Sequence, residues 1–528
     1  MQQANSPAFG KVRSFVWPIH NHELKKLLPM FLMLFFVCFN YTVLRNLKDT
    51  IVITAKNSGA EVIPFIKVWV MLPAAILVTM LFTYLTNHFK RSSVFYIVIG
   101  SFISYYCLFA FVIYPIHEQL SADRLASFLE TFLPAGCKGF ITMARNWPFT
   151  MFYVISELWS TMVLTVLFWG FANEITRMSE ATRFYSALNI SSNSASIVAG
   201  QVAVVLTTNV FNPNLFFGSD AWSQTIDKLT LLILFCGIGI LVTFRWMKKN
   251  VLNDPAYMPE EPKVTKDEPK AKKLSFKESI SYVTHNKYFL CIAALVVSYN
   301  LVIHMVEIIW KDRLRELYPD PNDYNVFTNN LTSAMGIIST TAALVMVGII
   351  RKFGWTKTAL ITPIVLLVTT VAFFTCLLAD TTLSPFVSVL LGTTPLALAV
   401  FLGSIQNCFT KAAKYSLFDT TKEMAFIPIA PELKLKGKAA IDGIGSRLGK
   451  SGGSLIHQGL LIIFGTLTSS TPYVAAILLA VITLWILAVR TLGKQFAEKT
   501  KGIDLTGGQR HPQPQQPAPA LEPVAAPA

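Results

Sequence analysis

Charge is what this sequence is short of. Only 14% of its 528 residues are Asp, Glu, Lys or Arg, against about 25% in soluble chains. Hydrophobic residues make up 53%, and mean hydropathy is +0.50. Together these figures exclude an ordinary soluble enzyme and indicate an integral membrane protein. Cysteine is also scarce. The seven residues lie mostly inside apolar segments, with no C-x-x-C and no metal-ligand spacing, so they read as unpaired small hydrophobes. The eight histidines form no H-E-x-x-H or similar cluster. No metal, cofactor or catalytic residue is expected. The N-terminus lacks an apolar run with a cleavage site and is not a Ser/Arg-rich transit stretch. The chain reads as mature, which favours a bacterial membrane over an organelle.

What is present is a series of apolar segments. A membrane helix needs about 20 apolar residues. Candidates fall at 27–47, 63–86, 93–115, 149–173, 185–209 and 228–247, and again at 288–309, 327–350, 356–379, 385–413, 439–466 and 472–492. This predicts an all-α integral membrane protein of twelve transmembrane helices. The expected parts are an N-terminal segment 1–26, a six-helix bundle 27–247, a polar Pro- and Lys-rich linker 248–287, a second bundle 288–492 and a tail 493–528. The tail is rich in Gln, Pro and Ala and is expected to be disordered.

The formal net charge of +15 is spread over short loops between the spans, so a nucleic-acid surface is not expected. Basic residues such as Lys25, Lys90, Arg177, Lys352, Lys436 and Lys494 fall in one set of loops. The alternate loops 209–227, 380–384 and 467–471 are expected to lack Lys and Arg, while 116–148 and 310–326 carry both signs. The positive-inside rule then places both termini in the cytoplasm. The halves also look like a repeat. Short basic turns follow the second and eighth spans, and a Lys-Asp pair ends the first (Lys48-Asp49) and the seventh (Lys311-Asp312). Two six-helix halves with a central cytoplasmic linker is the plan of the major facilitator superfamily. By analogy it supports a transporter, without a substrate.

Ionisable residues inside spans are functional-site candidates by default. Arg45, Lys48 and Asp49 end the first span, and Lys48 lies about 31 Å along from Leu27, near the outer mouth. Glu157 sits about 12 Å in from Phe149, close to the midplane. Glu307 and Lys311 are four apart on one helix face, with His304 three before. Lys411 and Lys414 share a face near a cytoplasmic loop, where positive-inside charges are also expected. Lys450 is about 18 Å past Lys438, among Gly449, Gly452 and Gly453. The tripeptide Gly449-Lys450-Ser451 resembles the end of a phosphate-binding loop. That motif needs a glycine five positions before Gly449, where Ile444 stands, and no strand pattern precedes it.

The cavity-facing set is therefore Lys48, Glu157, Glu307 and Lys450, with Arg45, Lys311 and Lys414 as additions. Buried cations this numerous call for a polyanionic substrate such as phosphate, a sugar phosphate or a nucleotide. Tyr41, Trp159, Trp169, Trp310 and Tyr415 read first as belt or packing residues, with base stacking as the alternative.

Several segments resemble the ATP/ADP translocase family of obligate intracellular bacteria, such as chlamydiae and rickettsiae, and of plastids. They are NLKDT at 46–50, SELW at 156–159, FWGFANEIT at 168–176, KYSLFDTTKEMAFIP at 414–428, and KGKAAID with GKSGG across 436–453. The resemblance covers nearly all of residues 10–500. It implies exchange of external ATP for internal ADP, with ATP and ADP as transported substrates; a monomer in the lipid bilayer of a bacterial inner membrane is expected. It also implies that two lysines and two glutamates govern transport, and by local motif these are Lys48, Glu157, Glu307 and Lys450. The family also contains proton-driven net importers of nucleotides, which stand as the alternative.

Overall fold

The computed structural model describes residues 19–253, 286–429, 437–438, 441 and 445–500. Of the expected linker, residues 254–285 lie outside the described residues, as do 1–18 and the tail after Thr500. The described residues form helices, turns and bends.

In the first half, α1 is Leu24–Thr54, α2 Val62–His88 and α3 Arg91–Ile113. Two short helices, α4 (Asp123–Phe132) and α5 (Lys138–Arg145), precede α6 (Trp147–Ile175), α7 (Met178–Leu206) and α8 (Ala221–Asn250). In the second half, α9 is Lys287–Leu317. Pro321–Leu378 is two helices, α10 and α11, joined across Gly354, whose φ of +73° only glycine adopts readily. Then come α12 (Asp380–Leu391), α13 (Pro395–Ala413), α14 (Asp419–Ala425), α15 (Ser446–Phe464) and α16 (Leu467–Lys499).

Nine helices among the described residues are long and apolar enough to cross a membrane, against the twelve expected. The other three expected spans coincide with α7, α10 and α15, which carry more Ser, Asn, Thr and Gln. Their polar groups are spent on other helices. Ser191 on α7 donates to the Phe31 carbonyl of α1 at 2.7 Å, and Cys38 of α1 donates to Ser192. Ser333 of α10 donates to the Ile197 carbonyl of α7 at 3.0 Å, and Gln201 reaches Asn330 at 3.3 Å. Such bonds replace water for groups in hydrocarbon and contribute about 0.6–2 kcal/mol each.

Several boundaries differ from the sequence reading. α1 continues seven residues past 47, so Arg45, Lys48 and Asp49 are helical. α9 runs to Leu317, which puts Lys311 inside a helix and not in the expected loop 310–326. The expected span 385–413 is broken at Gly392 (φ +62°). Thr394 then caps α13 by accepting from the Ala397 amide, and Pro395 fits the first turn. The expected loop 116–148 holds α4 and α5.

The ends of α1 and α9 meet through Asp49 and Lys311, so their starts share a face. Lys499 at the end of α16 lies 5.7 Å from the Tyr288 ring at the start of α9. The two ends of the described chain therefore lie on one face, here the terminal face; the opposite is the far face.

On the far side the halves are closely apposed. Asn325 of α10 donates to Thr207 of α7 at 2.9 Å, and Thr225 of α8 donates to Asn322 at 2.9 Å. Gly200 permits this approach. A Cβ there would collide with the Ser333 hydroxyl and lie 2.6 Å from the Asn329 carbonyl. We expect Gly200→Leu to pry the far ends of α7 and α10 apart. Maleimide labelling of Ser333→Cys, a position 3% exposed, should then quicken by about tenfold or more, as about 1.4 kcal/mol of opening free energy would produce. Unchanged labelling would show that this helix contact does not seal the far side.

Candidate functional site

The last turns of α1 carry Arg45, Lys48 and Asp49 into the interior. Lys48 and Asp49 are 3% and 6% exposed. Isolated charges there are costly, and each is met by an opposite one. The Lys48 Nζ lies 2.8 Å from Asp49 Oδ1 and 3.2 Å from Glu157 Oε2 on α6. It also sits 3.8 Å from the centre of the Tyr153 ring. Tyr153 and Glu157 are four residues apart, so one face of α6 grips the ammonium twice.

The second Asp49 oxygen, Oδ2, accepts from Lys311 Nζ of α9 at 2.9 Å. Lys311 is 3.0 Å from Glu307 Oε1, one turn earlier on the same helix. Arg45 lies 3.7 Å from that Glu307 oxygen and returns the path to α1. The order Glu157, Lys48, Asp49, Lys311, Glu307, Arg45 alternates in sign at every step. Three carboxylates balance three cations. Two of the links, Asp49 to Lys311 and Glu307 to Arg45, join the two halves.

Further groups surround this chain. Lys67 lies on a π-helical stretch of α2, Ile66–Val70, whose extra residue per turn re-aims the side chain. Its Nζ is 3.2 Å from His304 Nδ1 on α9, and that nitrogen is 4.0 Å from Glu307. Asn46 donates to Asn329 at 2.8 Å. Nearer the far face, Gln458 of α15 donates to the Pro64 carbonyl at 2.8 Å and accepts from Trp69 at 3.3 Å. The backbone at Gly136, in the turn before α5, lies directly against Leu461. Between Arg45, Asp49, Glu307, Lys311 and Lys411 only about 30 Å³ of space remains. That is room for water and far below the several hundred Å³ of a small-molecule site. The helices are therefore closely packed at the charge chain, while a recess of about 190 Å³ between Glu61, Gly136, Asp312, Arg315 and Leu461 lies nearer the far face.

Lys450 stands apart. It is exposed on the first turns of α15, and no ion pair holds it among the described residues. Gly449 packs on Val297 and Asn300 of α9, and Gly453 faces His304, while Gly452 has open space beside it. Lys414, Glu157 (38% exposed at its side chain) and Arg447 are charged neighbours of Lys450. Lys450 lies in the first turns of α15, toward the terminal face from the charge chain. Lys414 begins a π-helical turn, Lys414–Phe418, within the KYSLF segment.

The structure brings together Lys48, Glu157, Glu307, Arg45 and Lys311. It leaves Lys450 outside the ion pairs and Lys414 on a neighbouring helix. The sequence reading missed Lys67, Tyr153 and the bridging position of Asp49, and it placed Lys411 with the loop charges. A lone lysine in the apolar run VIPFIKVWVMLP was a usable signal for Lys67; nothing local marks Tyr153. The aromatics read first as belt or packing residues can now be placed. Trp159 and Trp310 are buried, donating to the Val37 and Val400 carbonyls at 3.1 Å each, so they serve packing. Trp169 lies edge-on to Tyr185, and the side chain of Tyr415 lies outside the described residues.

Comparison with solved structures identifies the fold. A bacterial homologue of the iron transporter ferroportin, in its inward-facing state, aligns over 90% of this chain and 99% of its own with a TM-score of 0.53 and 13% identity. A D-xylose-proton symporter aligns over 91% and 99% with a TM-score of 0.52, also at 13% identity. The architecture is of the major facilitator type. At the level of sequence, the ADP,ATP carrier protein 1 of Chlamydia trachomatis is 44% identical, covering 94% of this chain and 93% of its own. The chloroplastic ADP,ATP carrier protein 1 of Arabidopsis thaliana is 41% identical, covering 90% and 74%. The family model for TLC ATP/ADP transporters matches residues 1–496. With the charge chain set in a multi-pass, two-bundle membrane protein, these matches lead to one conclusion: the chain belongs to the TLC ATP/ADP transporter family.

Proposed function

We propose that this protein exchanges ATP for ADP across a bacterial inner membrane, as a monomer, by alternating access around the lysine-containing centre. One observation carries the reading. The centre holds its charges in an alternating chain that is neutral and ties the two halves together. The names of the relatives supply the substrates, and the basic loops assign the terminal face to the cytoplasm. The conformation described is then closed to the outside.

In this reading a nucleotide entering from the terminal side meets Lys450 first. Its phosphates then compete with Glu157 for Lys48 and draw on Lys67 and Lys411, which have no carboxylate within ion-pair distance among the described residues. An empty carrier that opened its far side would pull Asp49 from Lys311 and Glu307 from Arg45. Breaking a buried pair costs about 3–5 kcal/mol, so the step is slow without substrate. A bound polyphosphate supplies replacement charge, and the halves can part. This coupling makes the protein an exchanger. The two nucleotides differ by about one charge, so the membrane potential contributes about 2.3 kcal/mol per 100 mV to the exchange.

The alternative, proton-coupled net import, would use Glu157 or Glu307 as proton carrier. Both are engaged by cations here, which favours exchange. Hydrolysis is also disfavoured, because Gly449-Lys450-Ser451 lies within helix α15 and its amides are not arranged as a phosphate cradle.

Labelled ATP should enter ADP-preloaded proteoliposomes and ignore protonophores over short times. Uptake into empty vesicles that collapses with the proton gradient would favour the symporter instead. Lys450→Ala should lower exchange by about a hundredfold, as loss of about 2.7 kcal/mol would produce, while membrane insertion stays normal; wild-type uptake would remove Lys450 from the pathway. Asp49→Asn should loosen the tie between the halves. We expect preloaded nucleotide to leak into nucleotide-free medium about tenfold faster than from wild type, a cost of about 1.4 kcal/mol to the closed empty state. Equal leak would show that Asp49 does not hold the empty carrier.

A further inference from the structure

Away from the charge chain, the ends of α2, α3, α6 and α8 at the terminal face enclose a cavity of about 550 Å³. This is within the range of small-molecule sites. Its two parts differ in chemistry. The mouth is formed by Arg91 and Ser92 at the start of α3, Glu174 at the end of α6 and Lys248 at the end of α8. All lie at the membrane-water boundary of that face. The floor is apolar: Phe82, Phe95, Val166, Phe171 and Phe244 reach below the mouth. From Glu174 to Val166 the chain descends about 12 Å.

We infer that this groove binds an anionic phospholipid of the leaflet at the terminal face, with the headgroup at Arg91 and Lys248 and one acyl chain on the aromatic floor. Three observations favour that occupant. The polar-to-apolar direction of the groove matches a lipid standing in that leaflet. The mouth has two cations to one carboxylate, and the first turn of α3 has no side-chain cap at Lys90, so its amides add to the attraction for a phosphate. Glu174 holds Arg91 at 2.5 Å and Lys248 reaches Ser92 at 3.0 Å, which places both cations over the mouth.

The wall formed by α2 also needs a partner. Its segment Met71–His88 has no buried residue in 18, and Ile76, Leu77 and Met80 are 64–68% exposed. A lipid in the groove would pack against this half of α2. The other half carries Lys67 and Trp69, which join the far-side closure.

Native mass spectrometry of the purified full chain in detergent tests the proposal. Delipidated protein should retain added phosphatidylglycerol over phosphatidylcholine by about tenfold, equivalent to about 1.4 kcal/mol. The variant Arg91→Gln/Lys248→Gln should lose that preference, and Phe95→Ala/Phe244→Ala should lower retention of both lipids. Leu167→Trp, which fills the groove without touching its charges, should abolish retention in protein that elutes as wild type on size exclusion. Equal retention of the two lipids, unchanged preference in the charge variant, or displacement by soluble glycerol phosphate as efficient as by phosphatidylglycerol would overturn it. The readout does not involve nucleotides, so its failure leaves the transport reading untouched.

Discussion

A single carboxylate, Asp49, lies between two lysines in a membrane interior. Its Oδ1 is 2.8 Å from Lys48 and its Oδ2 is 2.9 Å from Lys311. Each charge would be costly there alone, and each is tolerable because the next is opposite. The consequence is geometric. The partners come from α1, α6 and α9, so meeting the electrostatic requirement fixes where these helices stand. Lys67 adds α2 through His304. The far-side contacts around Gly200, Gln458 and Gly136 can then close, because the centre beneath them is already in register.

The network also shows how a two-fold sequence repeat is used unequally. Lys48-Asp49 and Lys311-Asp312 end corresponding helices in the two halves. Only one of the two aspartates serves the centre. Asp312 turns to Arg313 at 2.8 Å, and both lysines share Asp49. Moving one carboxylate out of the centre leaves the core of the site neutral while Lys67, Lys411 and Lys450 stay around it. With Asp312 inside as well, one of those three positive charges would have been offset. In the proposed exchange this asymmetry leaves positive charge available to a polyanion.

Much of this was legible in the chain. Charge within an apolar span is rare enough that Glu157 stood out by depth, Lys48 by its cluster with Arg45 and Asp49, and Glu307 by sharing a helix face with Lys311, and the Lys-Asp repeat marked the paired helix ends. What was not legible depended on partners distant in sequence. Glu157 is 109 positions from the lysine it holds. Lys67 looks like a helix-end lysine until α9 brings His304 to it. Lys450 was expected in the cavity-facing set with the other charges; the structure leaves it exposed, with no ion pair among the described residues. The count of spans was blurred for a related reason. α7, α10 and α15 are polar because they face other helices and the centre, and hydropathy measures only the preference for lipid.

Why lysines on helices, and not a glycine-rich loop of amides, suit this task follows from the need to release. A loop that wraps a triphosphate with many backbone donors binds tightly, and here both nucleotides must leave in every cycle. Site and substrate must be matched well enough to enter and loosely enough to depart. A lysine already paired with a carboxylate meets that condition. On the proposed mechanism the phosphate displaces Glu157 from Lys48, and the cost of displacement is subtracted from its affinity. When the phosphate leaves, the carboxylate returns, and the ammonium is not left bare in a low-dielectric interior. In the proposed exchange the same competition that weakens binding also keeps the empty carrier closed. Affinity and coupling are therefore not separately adjustable in this site. A stronger Lys48–Glu157 pair would tighten the exchange stoichiometry and raise the substrate concentration needed to drive it.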